Sequence, residues 1–337
     1  MLGRERGVFP GGRDMSKYDY PKLKTETKQG RILWHYTTWD GFKSIIQHNE
    51  LWASDCRFMN DRKEFWHALE FCADLYGPEM EHVSRYIRGL LYSRDRDMPY
   101  ANVFSASGEF DSLEQWRGYA SSSVGVALGF DTALLTEILR LQGFTLTKCL
   151  YRDKQKSDRV RAQSQRAIDS LRGLQAQSAA ATDDGERSRA EKAIQCTRSS
   201  DLADFLKQNG LAFKDKQFRR EREIRFISDF EGLSPEVTYI RRHGPEVVYP
   251  PRAFRLRGST VLPYAKLSLM LKAEVLANNG YQGAVPTHPL VAVMLGPSAE
   301  PETLELQTYV LCTWIRTLSP ATLPDFKVVV SEVPLRT

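Results

Sequence analysis

The alternation of apolar and polar positions predicts short strands separated by amphipathic helices along most of the chain. Residues 31–37 (RILWHYT) give the first strand signal, because they form an apolar run of β-favouring residues. Further strands are predicted at residues 51–54, 101–107, 123–130, 144–151, 223–228, 236–241, from 261 onward, 291–295 and 326–332. A helix is predicted after a cap at Thr38 or Asp40, with Phe42, Ile45 and Ile46 on one face. Further helices are predicted from Asp61 to Gly77, from there to about Arg94, over 112–120, over 132–141, and from Pro297 through Trp314.

Residues 152–208 differ from the rest of the chain, being rich in Arg, Gln, Ser and Ala and poor in aromatic residues. We predict two amphipathic helices joined near residues 182–185, which would form a helical hairpin inserted between strands. Over 152–200, eleven Lys or Arg stand against seven Asp or Glu, so this stretch supplies four of the five net positive charges. A solvated hairpin is the favoured interpretation, and the alternative is a basic arm that contacts nucleic acid or another acidic partner.

Strand-rich halves with interspersed helices predict an α+β fold. Residues 1–20 are expected to form a flexible lead, because Met1 to Arg13 is rich in Gly and Arg and lacks the apolar segment of a secretory signal. Residues 21–337 are expected to form a single domain, with 152–208 as an insertion within it. The sequence has no internal repeat and no P-loop motif.

Composition and charge exclude several classes of protein. Of the 337 residues, 42% are hydrophobic and 26% are charged, which excludes a chain that is disordered throughout. No apolar run approaches the roughly 20 residues that span a bilayer, so an integral membrane protein is not expected. Five scattered cysteines without a CxxC pair argue against a disulfide framework or a zinc site and predict a cytoplasmic protein. The net charge of +5 permits an acidic partner without requiring one.

Three segments carry polar residues that core packing does not require. In the first segment, His35 and Thr37 would share one face of the first strand and Tyr36 would lie on the other. A histidine at the end of a strand can bind a ribose or a carboxamide. A half-buried histidine paired with a backbone carbonyl is the more common arrangement.

The second segment runs from Asn102 to Phe130 and places Phe104 and Ser105 on one strand. Trp116 and Tyr119 follow it at i, i+3 spacing, which predicts that both rings lie on one side of a helical turn. Two such rings can enclose a planar ligand, and ordinary core packing is the alternative interpretation.

The third segment, residues 218–226, is predicted to place Glu221, Glu223 and Arg225 on one face of a strand. Two carboxylates on one face repel each other unless a cation or a hydrogen-bond donor lies beside them. A carboxylate aimed at a developing positive charge stabilises such a transition state. An exposed strand with cross-strand arginine pairs is the alternative that requires no function.

Taken in order, these segments resemble the bacterial domain family of unknown function DUF2971. The resemblance rests on His35-Tyr36-Thr37, Leu51 to Ser54 with Asn60-Asp61, Phe104-Ser105, Trp116 with Tyr119, residues 125–130 (GVALGF), Glu221-x-Glu223-x-Arg225, Leu295-Gly296-Pro297, and Ser331 with Arg336. It covers about Ile32 to Arg336, and residues 152–208 look like an insertion.

That family is distantly similar to the ADP-ribosyltransferase superfamily, and this similarity implies an ADP-ribosyltransferase-like mixed sheet with NAD as the substrate. By this resemblance His35 would hold the ribose and carboxamide of NAD, and Trp116 or Tyr119 would stack on nicotinamide. Glu223 would bind the ribose 2′-hydroxyl and stabilise the oxocarbenium ion, while Glu221 would orient or activate the acceptor. Which glutamate is the catalytic one stays open. The full set of implied NAD-binding residues is His35, Tyr36, Thr37, Ser105, Trp116, Tyr119 and Arg225.

Three functions follow as hypotheses. The first is the transfer of ADP-ribose to a macromolecule, as in a toxin or a phage-defence effector, and the second is hydrolysis of NAD on the same scaffold. The third is a non-catalytic module that binds a nucleotide or nucleic acid with help from the basic hairpin. None of them requires a metal ion, and the remaining histidines are isolated from one another in the sequence: His48, His67, His82, His243 and His288.

Overall fold

The computed structural model describes residues 20–59, 62–75, 101–119, 125–194, 209–228, 250–271, 288–297 and 326–333, with 81, 84, 85, 88, 310, 311, 313–315 and 317. These residues form one mixed ten-stranded sheet with helices packed against it. The prediction of an α+β fold is therefore confirmed. None of the helices in this part of the chain combines the length and the hydropathy of a membrane span.

Most strands lie where the apolar runs predict them. The strands are β1 (Ile32–Thr37), β2 (Glu50–Asp55), β3 (Asn102–Ser107), β4 (Val126–Asp131), β5 (Phe144–Lys148), β6 (Glu223–Ser228), β7 (Arg252–Arg257), β8 (Thr260–Ser268), β9 (Leu290–Leu295) and β10 (Lys327–Val330). The helices are α1 (Tyr20–Lys28), α2 (Trp39–His48), α3 (Arg62–Leu75), α4 (Leu113–Tyr119), α5 (Thr132–Arg140), α6 (Asp153–Ala180) and α7 (184–194), with two 3-10 helices at Cys56–Phe58 and Lys216–Glu221.

The sequence did not predict β7, whose apolar residues Phe254 and Leu256 are 68% and 75% exposed. Pairing with β8 along the whole of β7 stabilises this strand, and a local pattern does not reveal such pairing. The lead before residue 20 and the strand at 236–241 lie outside the described residues. The described residues of the helices predicted to reach Arg94 and Trp314 are helical: 81, 84, 85 and 88 in the first, and 310, 311, 313 and 314 in the second.

The sheet divides at β3, which is paired by β6 along one edge and by two different strands along the other. β6 pairs with residues 103–107 of β3. On the opposite edge, β1 pairs at Trp34 with Ser107, whereas β2 pairs at the far end of β3, with Val103 and Asn102. One branch continues through β1, β4, β9 and β10, and the other through β2, β8 and β7. Residues 104–106 therefore face a gap between the two branches.

Helix α2 covers the sheet beside this gap, and its cap and apolar stripe match the sequence pattern. The side chain of Thr38 accepts a hydrogen bond from the backbone N–H of Gly41 at 3.2 Å, so Thr38 rather than Asp40 is the N-cap. The three apolar residues of the predicted stripe are buried and join the main core cluster with Leu33 and Phe104. The helix thereby packs against β2 and β4.

Residues 152–194 form two helices, α6 and α7, joined at residues 181–183. Asp183 Oδ1 accepts a hydrogen bond from the backbone N–H of Glu186 at 2.7 Å, which caps the start of α7. The first half of α6 is more than a solvated surface helix, because Val160 is fully buried against residues of α3. This half of the helix therefore belongs to the core, and residues 195–208 lie outside the described part of the chain.

A buried carboxylate, Asp111, joins three segments that are distant in sequence. Its Oδ2 accepts hydrogen bonds from the hydroxyl of Tyr20 at 2.6 Å and the backbone N–H of Glu332 at 2.8 Å. Its Oδ1 accepts from the indole of Trp116 at 2.8 Å and the hydroxyl of Ser331 at 2.5 Å. Burial and the adjacent carboxylate raise the pKa of the Tyr20 hydroxyl. Asp111 thereby connects α1, α4 and the segment after β10.

We predict that Asp111→Asn lowers the free energy of unfolding by about 2–3 kcal/mol, because an amide NH₂ replaces an oxygen that accepts two hydrogen bonds. Asparagine tolerates the φ of +51° at this position, so the variant isolates the loss of the acceptor. Urea unfolding measures the effect. Asp184→Asn, on the exposed surface of α7, is the matched control and should change stability by less than about 0.5 kcal/mol. Equal stabilities for the two variants would contradict the proposed role of Asp111.

Candidate functional site

A cavity of about 430 Å³ opens where β1 and β2 diverge from β3. Its volume lies in the range that accommodates small-molecule ligands. Helix α2 borders it through Gly41, Ser44 and Ile45. Eight of the nine residues singled out in the sequence line this cavity: His35, Tyr36, Thr37, Ser105, Tyr119, Glu221, Glu223 and Arg225.

Strand β1 presents different side chains to the cavity and to the opposite face of the sheet. His35 and Thr37 are the partly exposed positions of the strand, alternating with buried neighbours as the strand period requires. Tyr36 borders the cavity, but its ring packs edge-on against Trp116 with 4.7 Å between ring centroids. The hydroxyl of Tyr36 donates to the carbonyl oxygen of Glu109 at 2.9 Å. Tyr36 is thus engaged mainly in the core, and His35 and Thr37 face the cavity.

A hydrogen bond to a backbone carbonyl at the gap in the sheet holds the imidazole of His35 in one tautomer. Its Nδ1 lies 3.2 Å from the carbonyl oxygen of Ser105, on the part of β3 that faces the gap between the branches. Because a carbonyl oxygen only accepts, Nδ1 carries the proton and Nε2 is the acceptor in the neutral ring. Burial lowers the pKa of His35 to about 4, which the hydrogen bond to Ser105 only partly offsets. His35 is therefore neutral at pH 7 and offers an acceptor nitrogen.

Glu221 lies at the end of a 3-10 helix, so the prediction that it shares a strand with Glu223 was wrong. Lys216–Glu221 form that helix, Arg222 follows with a φ of +41°, and β6 begins at Glu223. The left-handed residue between the two glutamates interrupts the alternation on which the prediction relied. Glu223 and Arg225 do share a face, as the strand period predicts.

A buried lysine, Lys214, bridges the two glutamates. Its Nζ lies 2.6 Å from Glu221 Oε2 and 2.7 Å from Glu223 Oε2. Arg225 donates to the other side of Glu223, from Nε to Oε1 at 2.8 Å and from Nη2 to Oε2 at 3.1 Å, and to the carbonyl oxygen of Leu211 at 2.8 Å. Two cations and two anions thus form a cluster without net charge.

The electrostatics of the cluster distinguish its two carboxylates. Burial raises the pKa of Glu223, but Arg225 and Lys214 outweigh burial and bring that pKa down to about 2. Burial lowers the pKa of Lys214, but Glu223 and Glu221 raise it above its ordinary value. The side chain of Glu221 is 21% exposed, against 8% for Glu223. No described residue donates a hydrogen bond to Glu221 Oε1, and Glu221 borders the cavity.

Sequence reasoning missed Lys214, although it required a cation beside the paired glutamates. Lys214 follows the buried residues Leu211 to Phe213 and is itself 5% exposed. The apolar run before it was the available signal, because a lysine at the end of such a run becomes buried only with a partner. Lys216 lies two residues further on, so the sequence did not identify which lysine is the partner.

Helix α4 separates the two aromatic rings that the spacing predicted to lie side by side. Trp116 is 4% exposed, and its indole is directed to Asp111 in the core outside the cavity lining. Tyr119 is 47% exposed and borders the cavity. Partial burial and the nearby carboxylates of Glu223 and Glu221 raise the pKa of its hydroxyl to about 12, so the phenol stays protonated at neutral pH. Of the two rings, Tyr119 is the one in contact with the cavity.

A protein-family model matches part of the chain. The model of the family "Protein of unknown function (DUF2971)" matches residues 115–226, which supports the family resemblance found in the sequence. The matched range includes Tyr119, Glu221, Glu223 and Arg225, and it spans the helical hairpin. Searches of curated proteins and of solved structures return no match. Within the described residues, no group of three or more His, Cys, Asp or Glu side chains is arranged to hold a metal ion.

The low pKa of Glu223 predicts a specific loss of stability in acid. A folded-state pKa below the ordinary value stabilises the protein above about pH 4.5, and this contribution is lost as the pH falls towards 2. The difference in unfolding free energy between the parent protein and Glu223→Gln should therefore shrink by about 2 kcal/mol from pH 7 to pH 3. Urea unfolding at a series of pH values measures this difference.

The control for the pH series is Glu191→Gln, an exposed position on α7. It should follow the parent protein at every pH. Parallel curves for the parent and Glu223→Gln would show that Glu223 is not held ionised by Lys214 and Arg225.

Proposed function

We propose that the cavity binds NAD and that the protein transfers the ADP-ribose portion of NAD to a macromolecule. The observation that supports this proposal is convergence: the imidazole of His35, the ring of Tyr119 and the carboxylates of Glu221 and Glu223 border one cavity, although they come from three distant segments. These groups suit cleavage of NAD, because a ribose, an aromatic ring and a developing cation must be held together.

Cleavage of the bond between the ribose and nicotinamide is favoured by a fixed negative charge beside the ribose. As the bond from C1′ to the nicotinamide nitrogen breaks, its electron pair leaves with nicotinamide and C1′ becomes cationic. The acceptor then forms a bond to C1′ and loses a proton. A carboxylate in a partly desolvated cavity stabilises the cationic sugar more strongly than water does.

The two glutamates differ in their capacity for this role. Glu223 accepts three hydrogen bonds from Arg225 and Lys214 and keeps an acceptor site on Oε1, so we assign to it the ordering of the cluster and a hydrogen bond to the ribose. Glu221 borders the cavity and has greater exposure, so it can face the cationic sugar or take the proton of the acceptor. Lys214 holds Glu221 in place through a hydrogen bond, and with Arg225 it lowers the pKa of Glu223.

The remaining groups bind and orient the substrate in this proposal. The Nε2 atom of neutral His35 accepts a hydrogen bond from a ribose hydroxyl or from the carboxamide N–H of nicotinamide. The exposed ring of Tyr119 stacks on nicotinamide. Thr37 and Ser105 border the cavity next to His35 and add polar contacts.

The experiment combines the purified protein with NAD labelled in its adenylate portion, with and without cell extract. Label on protein or nucleic acid supports transfer, as expected of a toxin or a phage-defence effector. Free ADP-ribose as the sole product supports NAD hydrolysis instead. Intact NAD with every extract would overturn both enzymatic functions and leave a non-catalytic binding module.

Variants identify the groups that act. Glu221→Gln should slow nicotinamide release by about 100-fold, because it removes an electrostatic stabiliser of the transition state. His35→Ala should raise the KM for NAD, because it removes a binding contact. Glu114→Gln is the matched control, since Glu114 lies on the outer surface of α4 paired with Arg220 and does not border the cavity. Unchanged rates in Glu221→Gln would refute the assignment of that residue.

We further propose that the basic hairpin, residues 152–208, contacts an acidic acceptor. Helix α6 presents Arg161 and Arg166 on its exposed surface. Deleting the hairpin would uncover the core beneath Val160, so charge reversal is the cleaner test.

We predict that reversing both arginines (Arg161→Glu with Arg166→Glu) lowers labelling of the acceptor by about 10-fold and leaves nicotinamide release unchanged, because it acts on long-range attraction only. The control is Lys24→Glu with Lys28→Glu on α1, which alters net charge equally at another surface. Equal effects from the two pairs would show that overall charge matters and the hairpin does not.

A further inference from the structure

The end of the cavity formed by β2, β8 and β7 carries a group that the proposed chemistry does not use. Strand β2 joins β3 at Val103, whereas Glu223 pairs with β3 at Ser107. Four residues of strand separate these two points, or about 14 Å. Trp52, Ser54 and Arg255 border the cavity at this end. The cavity therefore has two chemically different ends.

Three neighbouring strands place an arginine and two aromatic rings on one face. Trp52 and Ser54 alternate with buried residues on β2, so both point to the cavity side. Tyr264 lies opposite Ser54 in the ladder between β2 and β8, and Arg255 of β7 is paired with Leu262 of β8. Cross-strand partners share a face, so the ladder brings these side chains together.

The guanidinium of Arg255 is held over two stacked rings. The rings of Trp52 and Tyr264 lie 4.5 Å apart between centroids at an angle of 32°. The Cζ atom of Arg255 lies 5.7 Å from the ring of Trp52 and 5.9 Å from that of Tyr264, within cation–π range. Its Nη2 also donates to Ser54 Oγ at 3.0 Å. Stacking and this hydrogen bond fix the plane of the guanidinium at the cavity wall.

We propose that this end of the cavity is a subsite for the phosphates of a nucleoside diphosphate, with Arg255 as the residue that binds them. A planar guanidinium oriented in advance matches phosphate geometry and binds two oxygens at once. The assignment of this end of the cavity to the phosphates of the ligand rests on the proposed function. It also orients the ligand, because the anionic phosphates lie at Arg255 and the end with a leaving group lies at Glu221.

The test measures binding of ADP and of adenosine to the intact protein by isothermal titration calorimetry. ADP should bind at least 10-fold more tightly than adenosine, and this preference should weaken as salt concentration rises. Arg255→Gln should remove at least 10-fold of ADP affinity and leave adenosine affinity unchanged. Arg255→Lys should give an intermediate affinity, because it keeps the charge and loses the planar fork.

The control variant is Arg220→Gln, an 80% exposed arginine outside the cavity lining, which should bind ADP as the parent protein does. Urea unfolding establishes that each variant is folded. ADP binding no tighter than that of adenosine, or equal ADP affinity in the parent protein and Arg255→Gln, would overturn the subsite.

The subsite and the enzymatic function can fail separately. ADP binding that depends on Arg255, together with intact NAD in every extract, would support the subsite and overturn the enzymatic proposal. Cleavage of NAD with ADP affinity independent of Arg255 would do the reverse.

Discussion

The candidate site depends on one constraint of the backbone: one edge of β3 is too short to accommodate two full strands. β1 takes the end at Ser107 and β2 takes the end at Val103, so residues 104–106 are left facing a gap. The carbonyl of Ser105 is consequently available to a side chain, and His35 binds it. The cavity, the tautomer of its histidine and the separation of its two ends all follow from this division of the sheet.

The second requirement is charge balance in the buried part of that cavity. Two carboxylates at close range would favour uptake of a proton, and Lys214 with Arg225 removes that tendency. Of the two glutamates, Glu223 accepts hydrogen bonds from both cations, whereas the side chain of Glu221 accepts one from Lys214 at Oε2. Equal numbers of positive and negative charges let the protein bury this cluster.

Local patterns predicted those parts of the fold that local forces determine. The alternation of side chains along a strand predicted that His35 and Thr37 share one face of β1. The apolar run predicted the bounds of β6 as the structure has them. Sequence did not predict Lys214, whose role depends on burial beside partners seven and nine residues away. Nor did it predict the separation of Trp116 from Tyr119, because the attraction of the indole to Asp111 is a tertiary contact.

The division of the sheet has a mechanical consequence. Among the described strands, β3 alone pairs with both the branch that contains β1 and the branch that contains β2, so few of the backbone hydrogen bonds described here resist a change in the angle between the branches. A ligand long enough to contact both walls of the cavity would connect the two branches of the sheet through its own contacts, because β1 and β2 do not pair with each other there. Ligand binding would then make the angle between the branches more rigid. A ligand that binds only the folded protein also raises its free energy of unfolding.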